Sequence, residues 1–146
     1  MRRVVSIALL TLGIALVAAP VLAAEIIGTD ASDKLIGTPG PDIISGRGGK
    51  DFVNGRRGDD LLYGGPRHDH VRGHSGDDTI FGNSGSDLLG GGHGSDWVSG
   101  GLGNDAIHVA DGQVDTVDCG GGHDIVYYDA TLDVLDMDCE TFVITP

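Results

Sequence analysis

The sequence predicts an all-β solenoid in which very short parallel strands form two sheets joined by glycine turns. Three observations predict it. A nine-residue unit recurs from Gly28 to His108 without an insertion, and every unit places Asp sixth and a branched apolar residue eighth. Glycine, 26 of 146 residues, is too dense for helix. The apolar residues keep a fixed phase, which a flexible linker has no reason to do.

At the start of the chain, Arg2 and Arg3 precede an apolar run from Val4 to about Ala19, and Val21-Leu22-Ala23 follows. Residues 1–23 read as a secretory signal peptide cut after Ala23, with Ala24 as the competing position. The alternative is a membrane anchor, since the stretch to Ala24 approaches a bilayer-spanning length. No basic stop-transfer cluster follows, so no stable membrane insertion is expected after cleavage. Losing Arg2 and Arg3 leaves 7 basic against 22 acidic side chains and moves the formal charge from -13 to -15. A nucleic-acid partner is not expected, because phosphate contact needs a basic footprint. Residues 24–146 have the length of one domain.

The units then run in order: GTDASDKLI from Gly28, GTPGPDIIS from Gly37, GRGGKDFVN from Gly46, GRRGDDLLY from Gly55 and GGPRHDHVR from Gly64. GHSGDDTIF from Gly73, GNSGSDLLG from Gly82, GGHGSDWVS from Gly91 and GGLGNDAIH from Gly100 complete the series. Position six gives Asp33, Asp42, Asp51, Asp60, Asp69, Asp78, Asp87, Asp96 and Asp105. Position four is Gly in seven of the nine units, failing at Ala31 and Arg67.

Nine residues are too few for a helix and its connection. Positions seven to nine suit a strand, with position eight pointing one way and its neighbours the other. Two strands and two turns make a coil of eighteen residues, and successive coils stack in parallel about 4.8 Å apart. Two inward columns result: Leu35, Val53, Val71, Leu89 and Ile107 from odd units, and Ile44, Leu62, Ile80 and Val98 from even ones. Two branched side chains per coil make a thin core against the ordering cost of eighteen residues. Something beyond apolar burial must close the coil.

The turns supply a candidate. Stacking puts Asp51, Asp69 and Asp87 in one file and Asp60, Asp78 and Asp96 in the other. Carboxylates this close raise one another's pKa and oppose folding. A hard divalent cation reverses that sign, since Ca²⁺ takes six to eight oxygens from carboxylates and carbonyls, whereas Mg²⁺ keeps its waters.

Units of this form resemble the hemolysin-type, or RTX, calcium-binding nonapeptide Gly-Gly-x-Gly-x-Asp-x-(apolar)-x, best matched by GGHGSDWVS and GGLGNDAIH. The resemblance implies a parallel β-roll that binds Ca²⁺ between neighbouring coils. It implies carboxylate ligands at position six, here Asp42, Asp51, Asp60, Asp78, Asp87, Asp96 and Asp105. Backbone oxygens come from positions one, two, three and five, the first being Gly46, Gly55, Gly73, Gly82, Gly91 and Gly100. Departures weaken some turns. Position two is Gly only at Gly65, Gly92 and Gly101, and Arg67 puts a cation near Asp69, which is left out of the expected ligand set.

After Ile107 the glycines thin out. Asp115 stands ten residues after Asp105, and the spacing of nine returns at Asp124 and Asp133, with Val117, Val126 and Leu135 at the usual offset. Residues 109–146 read as a degenerate C-terminal cap. The stretch VDTVDCGGGHDIVYYDATLDVLDMDCE resembles the end module of small secreted calcium-binding repeat proteins of actinobacteria. Cys119 and Cys139 lie twenty apart, near the eighteen between adjacent coils, so a disulfide is sterically allowed. An exported chain offers them only each other as partners. Two reduced, buried thiols are the alternative.

Outward positions of odd units are mostly polar, with Ile36, Phe52 and Leu88 as exceptions. Even units carry Ile43, Leu61, Tyr63, Phe81 and Trp97, an apolar face that a homodimer or a protein partner could cover; shielding of the thin sheet explains it equally well. Histidines 68, 70, 74, 93, 108 and 123 lack the helix that zinc-binding i, i+4 pairs need. No His-Glu-x-x-His, nucleophile elbow or phosphate loop is present. The expected function is calcium binding by a secreted, extracellular protein that is not an enzyme and orders as Ca²⁺ binds. The alternative is an adhesion or interaction module with structural calcium and a contact face around Trp97.

Overall fold

Fixed phase and dense glycine leave each unit one way to bury its position-eight residue, which is to lie on the unit two places earlier. The computed structural model describes residues 23–145, so the signal-peptide reading falls, but for Ala23, outside the described part. Strands β1 (Ala24–Ile27), β3 (Asp42–Ser45), β5 (Leu61–Pro66), β7 (Thr79–Ser84), β9 (Trp97–Leu102), β11 (Thr116–Gly121) and β13 (Val134–Leu135) form one parallel sheet in that order. Strands β2 (Lys34–Ile36), β4 (Phe52–Asn54), β6 (His70–Ser75), β8 (Leu88–His93), β10 (Ala106–His108), β12 (Ile125–Tyr128) and β14 (Thr141–Ile144) form the other. The described residues form a two-sheet β-solenoid of seven coils.

Register follows the repeat: Ile44 pairs with Leu62 and Val53 with Val71, eighteen residues on. Ile44, Leu62, Ile80, Val98 and Val117 of one sheet are fully buried with Val53, Val71, Leu89, Ile107 and Val126 of the other. The predicted inward columns are the core; Leu35, in the end strand β2, is half-buried.

Two features depart from the sequence reading, and a third shows where its extra residue is housed. Central strands are six residues long, not three, because pairing continues into the next unit, as in Gly65 with Asn83 and Pro66 with Ser84. Strands β1 and β14 lie outside the recognised units; β1 docks Ile26 beside Ile44, and β14 covers β12. The extra residue before Asp115 sits in a turn where a Cβ on Gly112 would meet nothing within 4 Å. Pairings that span it are nineteen residues apart, as in Trp97 with Thr116 and Ala106 with Ile125, and the next, Thr116 with Val134, returns to eighteen.

Cys119 and Cys139 form a disulfide, with Cα atoms 5.2 Å apart and both residues buried. It ties β11 to the chain just before β14. On the outer face of the first sheet Tyr63 stacks on Phe81, ring centroids 5.0 Å apart, and Phe81 lies 5.0 Å from Trp97. These rings are half-buried against one another, while Ile43 is exposed. Among the described residues no helix is long and apolar enough to cross a membrane.

Candidate metal centre

Each position-six Asp stands where a turn re-enters its strand, directly over the Asp of the neighbouring coil. Stacking therefore brings a backbone N–H of one coil onto a carboxylate of the next. Asp60 N–H donates to Asp78 Oδ1 at 2.8 Å, Asp78 N–H to Asp96 Oδ1 at 2.8 Å and Asp96 N–H to Asp115 Oδ1 at 2.7 Å. On the opposite flank Asp51 N–H bonds Asp69, Asp69 N–H bonds Asp87, Asp87 N–H bonds Asp105 and Asp105 N–H bonds Asp124, each at 2.7 Å. These bonds use one carboxylate oxygen. The second, Oδ2, is buried without a donor in Asp51, Asp60, Asp69, Asp78, Asp87, Asp96, Asp105, Asp115 and Asp124. A charged oxygen without a partner at this depth is costly.

What surrounds that oxygen is more oxygen. A Cβ on Gly73 would fall on Asp78 Oδ2 and 2.7 Å from the Gly91 carbonyl oxygen of the next coil. Gly82 repeats the arrangement with Asp87 Oδ2 at 2.7 Å and the Gly100 carbonyl at 2.5 Å. Position-one glycine thus keeps open a space bounded by a carboxylate and a carbonyl from two coils. Position four is glycine for another reason: at Gly76 (φ +125) a Cβ would strike the Gly58 backbone one coil away. Arg67 adopts this left-handed conformation, φ 86, which bulky residues resist.

Burial foremost, with neighbouring carboxylates adding to it, pushes the Asp78 pKa up to about 8, Asp87 and Asp115 to about 7, and Asp60, Asp69 and Asp96 to about 6. The accepted backbone N–H pulls each the other way. A hard cation would remove the penalty, and the all-oxygen donor set suits one.

A family profile described as the RTX calcium-binding nonapeptide repeat matches in four copies, over residues 27–62, 63–98, 73–107 and 81–114. The chain belongs to the RTX calcium-binding nonapeptide repeat family. RTX repeats bind Ca²⁺, and buried Asp residues line their turns here. No curated protein matches the chain.

The RTX turns are not all alike. In the first two units Thr29 N–H donates to Asp33 Oδ2 and Thr38 N–H to Asp42 Oδ2, both at 2.6 Å. The hydroxyls add bonds, Thr29 Oγ1 to Asp33 Oδ2 at 2.8 Å and Thr38 Oγ1 to Asp42 Oδ1 at 3.0 Å. Position two explains the difference. Arg47, Arg56, His74 and Asn83 are left-handed there, with φ between 69 and 87, and Arg56 N–H turns away to the Gly73 carbonyl at 3.0 Å. A β-branched Thr is a severe misfit in that region, so its N–H closes on its own Asp. At the far end Asp129 N–H does the same for Asp133 Oδ2 at 2.6 Å.

Of the predicted ligand residues, the structure brings Asp51, Asp60, Asp78, Asp87, Asp96 and Asp105 into the two files, each against its position-one glycine. Asp42 is in register, bonding Asp60 Oδ1 through its N–H, but Thr38 caps its carboxylate. Asp69, set aside because of Arg67, has the same geometry as its neighbours. Sequence reasoning missed a second ladder at position five. There Asp77 N–H bonds Asp59 Oδ1 at 2.9 Å, Ser95 N–H bonds Asp77 Oδ1 at 2.8 Å and Ser86 N–H bonds His68 Nδ1 at 2.7 Å. The signal was present, since position five is Ser, Asp, His or Asn in seven of nine units.

Proposed function

We propose that this is a secreted, extracellular calcium-binding protein whose chain coils as Ca²⁺ is taken up between successive coils. One observation carries the reading: nine buried Asp Oδ2 atoms have no donor. Asp51, Asp69, Asp87 and Asp105 on one flank and Asp60, Asp78, Asp96 and Asp115 on the other hold the ion, with carbonyls of position-one glycines beside them. Asp42 belongs to the predicted set and stands at its capped edge. Bound Ca²⁺ supplies the positive charge that offsets the packed carboxylates. A ligand that binds the coiled form and scarcely the open chain shifts the folding equilibrium by mass action. The adjacent carboxylates Asp59-Asp60 and Asp77-Asp78 are spent on the two ladders, and no catalytic role is proposed for them.

Circular dichroism of EDTA-treated mature protein, titrated with calcium, magnesium and zinc, tests this. Strand signal is expected to grow with calcium and far less with magnesium. A metal-stripped sample with full strand content and an unchanged melting temperature would defeat the reading.

The contiguous Tyr63–Phe81–Trp97 stack favours a second reading, an adhesion or interaction module in which calcium is structural and this face meets a protein partner or a second copy. Calcium-saturated protein should then self-associate or bind, and lose the contact on replacement of Trp97 and Tyr63. A monomer at high concentration whose Trp97 fluorescence reports full hydration speaks against it.

A further inference from the structure

Gly90 is a glycine the backbone does not need. It lies on the outer face of β8, its φ is not left-handed, and a Cβ there would meet only Arg72 Cγ at 3.9 Å and the His108 carbonyl at 4.0 Å. Turn glycines such as Gly76 have no such room. The outward column through this position runs Asn54, Arg72, Gly90, His108, Tyr127 on successive rungs. Gly90 is therefore a blank rung.

This fold stacks flat groups rung on rung. Tyr63 and Phe81 lie 5.0 Å apart at 8°, and His108 and Tyr127 lie 4.1 Å apart at 5°. At the blank rung the stack is interrupted, leaving a groove of about 460 Å³ between Arg72 and the outer face of His108. Its basic lining is Arg72, His70, His74 and His108, with Tyr127 beside them and no carboxylate, in a chain of net charge -13. Arg72 Nε–H donates to His70 Nε2 at 2.8 Å, which orients the guanidinium. Among the described residues no Lys or Arg pairs with a carboxylate. Burial, and to a lesser extent Arg72, lower the His108 pKa, which favours the neutral form of the ring.

We propose that the Gly90 rung is a binding slot for a small planar aromatic anion, an arene carboxylate, whose ring inserts between the Arg72 guanidinium and the His108 imidazole. At sheet spacing the inserted ring sits about 4.8 Å from each neighbour. That lies within the stacking range of roughly 4.5–7 Å and the roughly 6 Å reach of a cation–π contact. The carboxylate meets a groove wall that carries basic groups and no acidic one.

Calcium-saturated full-length protein titrated with 2-naphthoate, by calorimetry and by NMR of the histidine rings, tests the slot. Saturable one-site binding is expected, with an upfield ring-current shift of the His108 ring protons. Gly90→Leu fills the rung without touching the turns and should weaken binding at least about tenfold, as should Arg72→Gln or replacing the probe by neutral 2-naphthol. Gly90→Ala, the gentler change, should give an intermediate loss, and circular dichroism checks that both variants stay coiled. Undiminished binding to coiled Gly90→Leu or Gly90→Ala, binding without a His108 shift, or no saturation at millimolar 2-naphthoate overturns the proposal.

Discussion

The turns at Asp42 and Asp78 share one nonapeptide frame and satisfy it in opposite ways. At Asp42 the Thr38 N–H and hydroxyl supply donors to both carboxylate oxygens. At Asp78 one oxygen accepts the Asp60 N–H and the other is buried with no donor. Among their differences, position two sits at the donor that matters, β-branched Thr38 in one and left-handed His74 (φ 82) in the other. The comparison teaches that a repeat can close its turn from within or leave the closing to a cation, and that backbone conformation two residues into the unit decides which.

The widest effect expected from that difference is on pH response, because many carboxylates act together. With calcium removed, the raised pKa values of Asp78, Asp87 and Asp115 mean that the coiled form holds more protons than the open chain between about pH 4 and pH 8. Stability without calcium should therefore fall as pH rises through that window. With calcium present the slope should reverse, since protons compete for the same oxygens. Thermal melts at pH 5 and pH 8, with EDTA and with calcium, check both signs; equal slopes would break the contrast between open and capped turns.

Next in size is the cap at the other end. Cys119→Ser should cost about 3 kcal/mol, from the closure of a loop of this length, in calcium-loaded and calcium-free protein alike. Denaturant titrations in both states would read it, and a cost confined to one state would tie the disulfide to the ion sites.

A smaller change, aimed at the comparison itself, pairs Asp78→Asn with Asp42→Asn. The first should weaken calcium affinity roughly tenfold by removing ligand charge. The second should leave affinity and stoichiometry alone and cost only about 1 kcal/mol of stability through a weakened turn bond. Isothermal titration separates them. Equal loss of calcium in both variants would mean that Thr38 does not substitute for the ion.

The smallest effect is expected from Thr38→Gly, which permits the left-handed conformation at position two. It should lower stability by about 1 kcal/mol in EDTA and add calcium uptake at Asp42, read as a higher stoichiometry.

Much of this architecture was legible beforehand. Period nine fixes which residues share a column, so the core from Ile44 to Ile107 and the two Asp files could be read from spacing, whereas spacing only allowed the Cys119–Cys139 bond and left two reduced thiols as the alternative. Phase says nothing of what a given N–H will choose. The Thr38 closure and the position-five ladder through Asp59 and Asp77 depend on dihedral angles rather than on column membership, and stayed hidden. Strands β1 and β14 were missed because Ala24–Ile27 and Thr141–Ile144 are short apolar stretches without the Gly and Asp that mark a unit. The length of the central strands escaped for a related reason, since Gly64-Gly65-Pro66 looks like a turn in one dimension and is held extended only by Asn83 and Ser84 alongside.

The eighteen-residue N–H to carboxylate link imposes a growth rule on the gene as well as on the chain. Each Asp is served by the coil before it and serves the coil after it, so viable changes of length come in whole coils or as bulges on the outer bend. The residue inserted before Asp115 obeys that rule: it is housed around Gly112, in open space, and the Asp96 N–H still reaches Asp115 Oδ1 at 2.7 Å. Duplicating Gly73 to Gly90 should lengthen the protein by one rung without redesign, whereas a single residue placed between Asp78 and Ile80 should shear both files at once.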